Sequence, residues 1–456
     1  MASKENEESV NLATWTPRSA PSLVKPIDAA LGIILLVAFF AFGVIMMSRP
    51  RKSQAHSRGE RRRLLCLVPT TLEDLEAKGV VGGITYRDLG GYFDHVHTIH
   101  FPARKDSVIQ LSNRHTILEF SRSHYSNLHA FPFVNLVASE ARCLMSLLHL
   151  IRAADISVIK AQDPYLQGAN AFFLSKVTGI PFLISVHSNY DLTRRITSRL
   201  VYRIFRFYRI EKAIEKFVFQ HAGLVIAISD DNLAFAMRNG APPIRALTVR
   251  VPPLSIHYEE GETPRNLKSK LGLKGWKIIL YVGRLSPEKY PDDVIRCASY
   301  VANKRDDVIF VFVGDGPMRD ELERLAFSLG TGQHVRMLGF QSQRRVRDLM
   351  RVAEVIVSPL TGRALVEATL SGTPVVAYDI EWHRELIRDH DTGLLVPYRD
   401  HEAMAEAVLW ILDHPSEAHA LGKHGREAGL QNFRPRRLME NERACFERLL
   451  SRGISC

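Results

Sequence analysis

The sequence contains few cysteines, and none of them has the spacing of a metal site or a disulfide framework. The five cysteines are scattered along 456 residues: Cys66, Cys143, Cys297, Cys445 and Cys456. An odd number without any CxxC pair argues against a disulfide-stapled secreted domain and against a zinc site. We therefore expect the chain to work in a reducing compartment.

Internal repeats and low-complexity segments are also absent, and no Ser-His-Asp, paired-carboxylate or Cys-His arrangement stands out. Apolar residues make up 46% and charged residues 24% of the chain, which is the usage of globular proteins. A chain of this length exceeds one ordinary hydrophobic core. We therefore expect two domains.

Acidic residues are fewer than basic ones, 49 against 60, which leaves a net charge of +11. Such an excess favours an anionic partner, and nucleic acid, acidic lipid and a sugar nucleotide all qualify. Much of the excess follows the one long apolar run. This position favours a membrane as a partner and argues against nucleic acid.

The run from Ala29 to Met47 (AALGIILLVAFFAFGVIMM) has no charge. As a helix it would extend about 28 Å, close to the thickness of a bilayer core. The basic residues that follow it are Arg49, Arg51, Lys52, Arg58, Arg61, Arg62 and Arg63. The positive-inside rule then places the rest of the chain in the cytosol. A cleaved signal peptide is the alternative, but no basic start immediately precedes the run and no A-x-A site follows it.

We predict a tail over residues 1–26, a single transmembrane helix over 27–48 and a basic linker over 49–63. From Leu64 onward, short apolar β-type runs alternate with helical patterns, which indicates an α/β fold with parallel sheets. The predicted domains are Rossmann-like at 64–252 and 276–435, with a polar connection at 253–275 and a final helix at 436–456. The predicted strands are 64–68, 95–101, 156–161, 182–187 and 223–229, then 277–283, 308–314, 335–340, 355–359 and 373–378. Such sheets bind ligands beyond the carboxyl ends of their strands.

Two cations follow the strand that ends in Tyr281-Val282-Gly283. Arg284 could hold a diphosphate at two points, and Lys289 could add a point charge. The alternative is that both are loop cations that meet solvent or Glu288, and the pair alone would not exclude it.

A short helix opening beside Gly362 would aim free backbone N–H groups at an anion. Glu367 lies early in that helix, where it could accept hydrogen bonds from ribose hydroxyls, or serve only as a partner of the helix dipole. The segment VGDGP (313–317) adds two glycines that would let the backbone approach a ligand, although a plain tight turn also explains them.

The order and spacing of GRLSPEK, VGDGP, LGF, GRALVEATLSGTPVVA and TGLLVP resemble the second domain of retaining glycosyltransferases of family 4, which have the GT-B fold. The likeness covers most of 276–435. The first half is similar but fainter, in Gly82-Gly83 opening a helix, KAQDPYLQG (160–168), TGIPFLISVHSNYD (178–191) and VIAIS (225–229).

The resemblance implies a role for several residues. Arg284 and Lys289 would bind the donor diphosphate, Glu367 the ribose, and the backbone around Gly339 and Phe340 the base. His187, at a strand end in the first domain, would face the donor sugar in a cleft, or else simply cap its strand. The remaining implied nucleotide-binding positions are Gly83, Gly283, Gly314, Gly362, Ala364 and Leu365.

The chain departs from the family pattern at two places. Pro359 stands where the family usually has a second Glu, eight positions before Glu367, and the helix expected after Gly83 would carry Gly90-Gly91. Asp389-His390-Asp391 mimics a metal-binding pair but falls in a turn before a strand, so we predict no metal.

The segment Arg199 to Phe219 (RLVYRIFRFYRIEKAIEKFVF) predicts a basic, strongly apolar helix. It could lie on anionic lipid. We favour a crossover helix packed on the sheet, because apolar residues occur nearly all round it.

The resemblance therefore implies an enzyme that transfers sugar with retention, from a nucleoside-diphosphate sugar to an acceptor hydroxyl, without metal or cofactor, and the apolar run at 27–48 adds a membrane anchor. A lipid-linked or membrane-proximal saccharide is the expected acceptor. A sugar-nucleotide epimerase of the same fold and a non-catalytic sugar-nucleotide-binding partner of another transferase are the alternatives.

Overall fold

A computed structural model describes residues 62–77, 87–128, 130–198, 207–250, 266–360 and 362–451. These residues form two compact units. The first ends at Arg250 and resumes at Met439, and the second covers Val251–Leu438. The predicted transmembrane helix, most of the basic linker and Gly82-Gly83 lie outside the described residues.

The first unit contains a mostly parallel sheet of eight strands in the order β3-β4-β2-β1-β5-β6-β7-β8, in which only β3 pairs antiparallel, with β4. The strands are Arg63–Val68 (β1), His95–Ala103 (β2), Ser107–Ser112 (β3), His115–Ser121 (β4), Val158–Ala161 (β5), Phe182–Val186 (β6), Leu224–Ala227 (β7) and Ala246–Thr248 (β8). The five strands predicted here are confirmed as β1, β2, β5, β6 and β7. The sequence analysis missed β3, β4 and β8, and the edge strands β3 and β8 lack the fully buried apolar run of a central parallel strand.

Helices cover both faces of this sheet. They are Leu72–Ala77 (α1), Pro132–Ala153 (α2), Leu166–Thr178 (α3), Tyr190–Thr197 (α4), Tyr208–His221 (α5), Asp230–Arg238 (α6) and, from its fifth residue onward, the last helix Pro435–Ser451. On one face α2, α3, α5 and α6 bury a core with β1, β5 and β6. On the other face the last helix buries Cys445, Phe446 and Leu449 against Leu64 and Cys66. The chain therefore returns to the first sheet at its carboxyl end.

One described helix, α2, is long and apolar enough to cross a membrane by length and composition. Half of its most apolar stretch is buried inside the first unit. Such burial is usual for a core helix, and the predicted anchor at 27–48 lies outside the described residues.

The basic segment forms a crossover helix over its described part, α5, as the sequence predicts. Val218 and Phe219 are fully buried in the core beneath the sheet.

The prediction of a helix through Gly90-Gly91 is wrong for the described residues. Leu89, Gly90 and Gly91 have φ values of 52°, 67° and 86° and form a turn that leads into β2. A right-handed helix needs negative φ throughout, so three left-handed residues in a row cannot continue one.

The second unit contains a fully parallel sheet in the order β11-β10-β9-β12-β13-β14. Its strands are Lys277–Val282 (β9), Val308–Val313 (β10), Val335–Met337 (β11), Val355–Val357 (β12), Val375–Tyr378 (β13) and Leu394–Val396 (β14). The five predicted strands of this half are confirmed as β9 to β13, and β14 is the strand expected after the Asp389-His390-Asp391 turn.

Eight helices pack on this sheet within the described residues. They are Leu267–Lys270 (α7), Pro291–Ala302 (α8), Arg319–Ser328 (α9), Gln343–Val352 (α10), Arg363–Ser371 (α11), His383–Leu386 (α12), His401–Asp413 (α13) and Pro415–Asn432 (α14). The final helix, Pro435–Ser451, is numbered α15. Leu267 and Leu273 are buried in the second core, which therefore begins inside the predicted connection. Gly372, with φ 81°, caps the carboxyl end of α11 in a left-handed conformation.

Candidate functional site

Three predicted glycines meet at the carboxyl edge of the second sheet, where β9, β10 and β11 lie side by side. The N–H of Gly283 donates to Val313 O at 3.0 Å, and the N–H of Gly314 donates to Gly339 O at 3.0 Å. Gly314 has φ +134°, and a Cβ there would lie 2.0 Å from Gly283 O. The two loops can approach this closely only because residue 314 has no side chain.

The loop after β9 folds so that Arg284 and Lys289 lie on one short turn. The N–H of Ser286 donates to Arg284 O at 3.0 Å, and the N–H of Lys289 donates to Ser286 O at 2.9 Å. The Ser286 hydroxyl donates to a Glu288 carboxylate oxygen at 2.6 Å. The turn thus holds the two predicted cations together beside the three glycines.

A residue that the sequence analysis missed, Tyr281, lies beneath this turn. Its hydroxyl oxygen is 3.1 Å from Arg284 O and 3.4 Å from Lys289 O, and its side chain is buried in β9 against the ring of Phe312. Burial raises the pKa of Tyr281 well above its usual value, so the hydroxyl stays protonated and donates. The available signal was the single aromatic residue of the strand KIILYV. We call the turn from Arg284 to Lys289 the cation turn. Because the Tyr281 hydroxyl contacts the carbonyl oxygens at both ends of this turn, we call it the Tyr281 clamp.

The pKa of Lys289 is lowered from its usual value. Burial lowers its pKa, and the nearby Arg284 lowers it further, whereas Glu288 and Glu381 act in the opposite direction. The Nζ atom of Lys289 lies 3.9 Å from the place where a Cβ on Gly362 would be. The loops after β9 and β12 therefore converge on one ammonium group.

Gly362, with φ +67°, starts helix α11. The helix begins next to Lys289, so its free N–H groups and the positive end of its dipole point into the same region. Ala364 is partly exposed, whereas the Leu365 side chain is fully buried and its N–H donates to Gly362 O at 3.0 Å. Of these two residues predicted to bind the nucleotide, Ala364 is therefore the better placed to donate its backbone N–H to a ligand.

Glu367 is on the same helix, five residues after Gly362, with 8% of its side chain exposed. It is the fifth of the nine residues of α11 and lies beyond the first turn. Its contact with ribose stays a prediction.

Two further residues near the site escaped the sequence analysis. Glu381, in the loop after β13, has φ +50°, a left-handed backbone that is uncommon without glycine. Arg319, at the start of α9, lies so that its Nη1 would be 3.4 Å from a Cβ on Gly339. Next to Gly339, Phe340 exposes about half of its ring surface.

His187 belongs to the first unit and follows β6 directly. Its Nε2 lies 3.0 Å from the Ser185 hydroxyl oxygen, and the residue is half-buried. Asn189 then caps α4 by accepting from the N–H of Leu192 at 3.2 Å. The strand-end position predicted for His187 is thus correct, while Gly83 lies outside the described residues.

The Asp389-His390-Asp391 segment forms the predicted turn. Asp389 accepts from the N–H of Leu395 at 2.9 Å, and Asp391 accepts from Arg388 Nε at 2.7 Å. Within the described residues, no group of three or more His, Cys, Asp or Glu side chains has a metal-binding arrangement. The two carboxylates shape the loop.

Two family models match the chain in succession. "Glycosyltransferase Family 4" matches residues 95–249 and "Glycosyl transferases group 1" matches residues 264–428. Among curated relatives, the alpha-D-kanosaminyltransferase of Streptomyces kanamyceticus is 29% identical over 54% of this chain and 66% of its own length. This chain covers smaller shares of two other relatives from Bacillus subtilis strain 168. The shares are 41% of the length of the putative glycosyltransferase EpsD and 54% of the length of spore coat protein SA.

Solved structures agree on the fold. Anabaena Alr3699/HepE in complex with UDP and glucose superposes with a TM-score of 0.68 at 16% identity, over 85% of this chain and all of that one. Sucrose-phosphate synthase from Thermosynechococcus elongatus gives a TM-score of 0.70 at 19% identity, over 86% of this chain and all of that one. With two Rossmann-like α/β units and both family models matched in turn, the chain belongs to the GT-B glycosyltransferases of family 4, as the sequence motifs predict.

Proposed function

We propose that this chain transfers a sugar from a nucleoside-diphosphate sugar to an acceptor hydroxyl, and that the diphosphate binds at the carboxyl edge of the second sheet. The observation that carries the proposal is the convergence of Arg284, Lys289 and the start of α11 at Gly362. Two cations and a helix N-terminus on one side of a glycine-lined surface suit a diphosphate. Proteins similar to this one are named as glycosyltransferases, and the similar Alr3699/HepE was solved with UDP and glucose.

The chemistry would then be mainly electrostatic. Charge that develops on the departing diphosphate would be stabilised by Arg284, by Lys289 and by backbone N–H groups that are already in place. The lowered pKa of Lys289 reflects the free energy that burial takes from its charged form, and a bound diphosphate would return part of it. Within this proposal, retention of configuration and independence of metal follow from the family resemblance.

The remaining assignments are part of the same proposal. Glu367 would bind the ribose hydroxyls, Gly339 and Phe340 would hold the base, and His187 would contact the donor sugar. The membrane anchor at residues 27–48 and a lipid-linked or membrane-proximal acceptor are also proposed, and a reporter fused after Cys456 should be found in the cytosol. A reporter on the other side of the membrane would refute that orientation.

The direct test is thermal unfolding of the full chain in the presence of UDP-, GDP- and ADP-sugars, because a ligand of the native state raises the melting temperature. Lys289→Ala should weaken binding of the active donor roughly tenfold or more, as loss of a charged hydrogen bond does. Lys304→Ala is the matched control, since Lys304 is a half-exposed lysine of the same unit that pairs with Glu406 at 2.8 Å.

Turnover decides the remaining alternatives. Transfer to a saccharide acceptor, with the anomeric configuration kept and with full activity in EDTA, is the expected result. Conversion of the donor without any acceptor would indicate an epimerase, and donor binding without transfer or hydrolysis would indicate a non-catalytic partner. Either outcome would contradict the proposal.

A further inference from the structure

Helix α5 has its acidic residues on the inside and its apolar residues partly on the outside. Glu211 and Glu215 are completely buried, on the same face as Val218 and Phe219. This is the reverse of the usual amphipathic pattern, in which charged residues face water. The inward glutamates need an explanation, and so does the outward apolar surface.

The buried glutamates are held by partners within the first unit. Glu215 accepts from the Tyr165 hydroxyl and from Lys212 Nζ. Glu211 lies 4.0 Å from Arg194 Nη1, and the guanidinium of Arg194 stacks on the ring of Tyr208 at 3.9 Å. The negative charge of α5 is thus neutralised internally and is withdrawn from the outer surface.

The outer surface, which we call the α5 surface, consists of Phe207, Tyr208, Arg209, Ile210, Lys216 and Phe217. Phe207 is 60% exposed, and Ile210 and Phe217 are each more than 40% exposed. Arg209 and Lys216 are exposed among them. Within the described part of α5, every exposed charged side chain is basic or histidine.

A cation and an exposed apolar side chain also lie next to the carboxyl end of α5. Arg245 donates to Gln220 O at 2.9 Å and to Ala222 O at 3.1 Å, which places it against the last turn of α5. Its neighbour Ile244 is 73% exposed. Exposed aromatic or aliphatic side chains and cations therefore occur at both ends of the helix.

We propose that the α5 surface docks on an anionic lipid bilayer. Aromatic and aliphatic side chains beside arginine and lysine are the composition of helices that lie in the headgroup region. Cations on such a surface are attracted to acidic lipid, whereas a surface with the usual glutamates would be repelled. The inward placement of Glu211 and Glu215 removes that repulsion. Separation of the buried glutamates from the exposed cations would then serve membrane binding. The proposal depends neither on the donor site nor on the anchor at 27–48.

The test uses a fluorescent reporter on the full chain. Ile210→Cys is labelled with an environment-sensitive dye in a Cys456→Ser background, because Cys66, Cys143, Cys297 and Cys445 are buried. The labelled protein is reconstituted in phosphatidylcholine bilayers with and without phosphatidylglycerol. We expect a blue shift and protection from an aqueous quencher only with phosphatidylglycerol, and we expect both to be lost at high salt.

The matched control places the dye at Phe327→Cys. Phe327 is 85% exposed on helix α9, but its neighbours on that helix include Asp320 and Glu323. That reporter should not shift on any bilayer. Arg209→Gln combined with Lys216→Gln should abolish most of the shift at residue 210 without changing the melting temperature.

Three results obtained with bilayers would overturn the proposal. They are an equal shift on phosphatidylcholine alone, an equal shift at residue 327, and no shift at residue 210 on either bilayer. A shift that needs no lipid and grows with protein concentration would also overturn it, because the surface would then bind a second copy of the chain.

Discussion

Lys160 in β5 and Glu442 in α15 form a buried ion pair between residues that are 282 positions apart in the sequence. Each side chain is less than a tenth exposed. The pair lies beside the apolar contacts of Phe446 and Leu449 and ties the last helix to the first sheet.

The first prediction concerns this pair. Glu442→Ala leaves a buried ammonium without its partner and should lower the free energy of unfolding by about 3 to 5 kcal/mol. Glu447→Ala, an exposed carboxylate of the same helix, should change it by less than about 0.5 kcal/mol. Replacing both partners, as Lys160→Met with Glu442→Leu, should recover most of the loss. Denaturant unfolding measures all three, and equal effects of the two single variants would contradict the assignment.

The second prediction concerns the Tyr281 clamp. Tyr281→Phe removes the hydroxyl between Arg284 O and Lys289 O and leaves the ring in place. Loss of one hydrogen bond of about 1 kcal/mol should raise KM for the donor severalfold, with a smaller change in kcat. Tyr300→Phe is the control, because that hydroxyl bonds Glu406 elsewhere in the unit. A purely structural role would lower the melting temperature and leave KM as it was.

The third prediction tests the close approach of two loops. Gly314→Ala would put a Cβ 2.0 Å from Gly283 O, so the loop must move and donor binding should be lost. Gly330→Ala is the matched control: it also has positive φ, at 72°, but its Cβ would meet nothing within 4 Å. That control should cost only the left-handed backbone penalty of about 1 to 2 kcal/mol. Donor binding by both variants at the wild-type level would refute the packing argument.

The fourth prediction concerns Glu367. Glu367→Gln should weaken donor binding by roughly an order of magnitude, because a charged hydrogen bond to ribose is lost. If the carboxylate holds the 2'-hydroxyl, the penalty should shrink when a 2'-deoxyribose donor is used with both proteins. An unchanged penalty would return Glu367 to a partner of the helix dipole.

The fifth prediction is a pH dependence of the first unit. Burial lowers the pKa of His115 to about 3, and its Nε2 lies 2.8 Å from the Thr98 hydroxyl oxygen. The unfolded chain protonates this histidine near pH 6.5 and the folded chain does not. Its contribution to stability is therefore present above pH 6.5 and is lost as the pH falls toward 3, by about 1.4 kcal/mol per pH unit.

The measurement is the free energy of unfolding between pH 7 and pH 4.5, for wild type and His115→Gln. Carboxylates and the neighbouring His97, whose pKa burial lowers to about 4, are present in both proteins, so we assign the difference in slope to His115. Identical slopes would show that His115 is not buried as described.

The sequence alone determined the succession of elements and the position of the main site motifs. Strands β9 to β13 are short apolar runs between helical patterns, and parallel strands buried on both faces produce that pattern without any tertiary information. Arg284, Lys289 and Gly362 each follow such a run at the edge where parallel sheets bind ligands, but their predicted role in diphosphate binding came from the family resemblance and not from position alone.

Tertiary structure decided which groups touch. That Tyr281 clamps the cation turn, that Gly314 meets Gly283, and that Glu442 returns to Lys160 all depend on strand order and on packing between distant segments. The inward glutamates of α5 depend on the same packing, because Tyr165, the partner of Glu215, lies 50 residues from it in the sequence. Hydrophobic periodicity tells which face of an element is apolar, but a buried charge is stabilised only by its partners, and those are brought together by the fold.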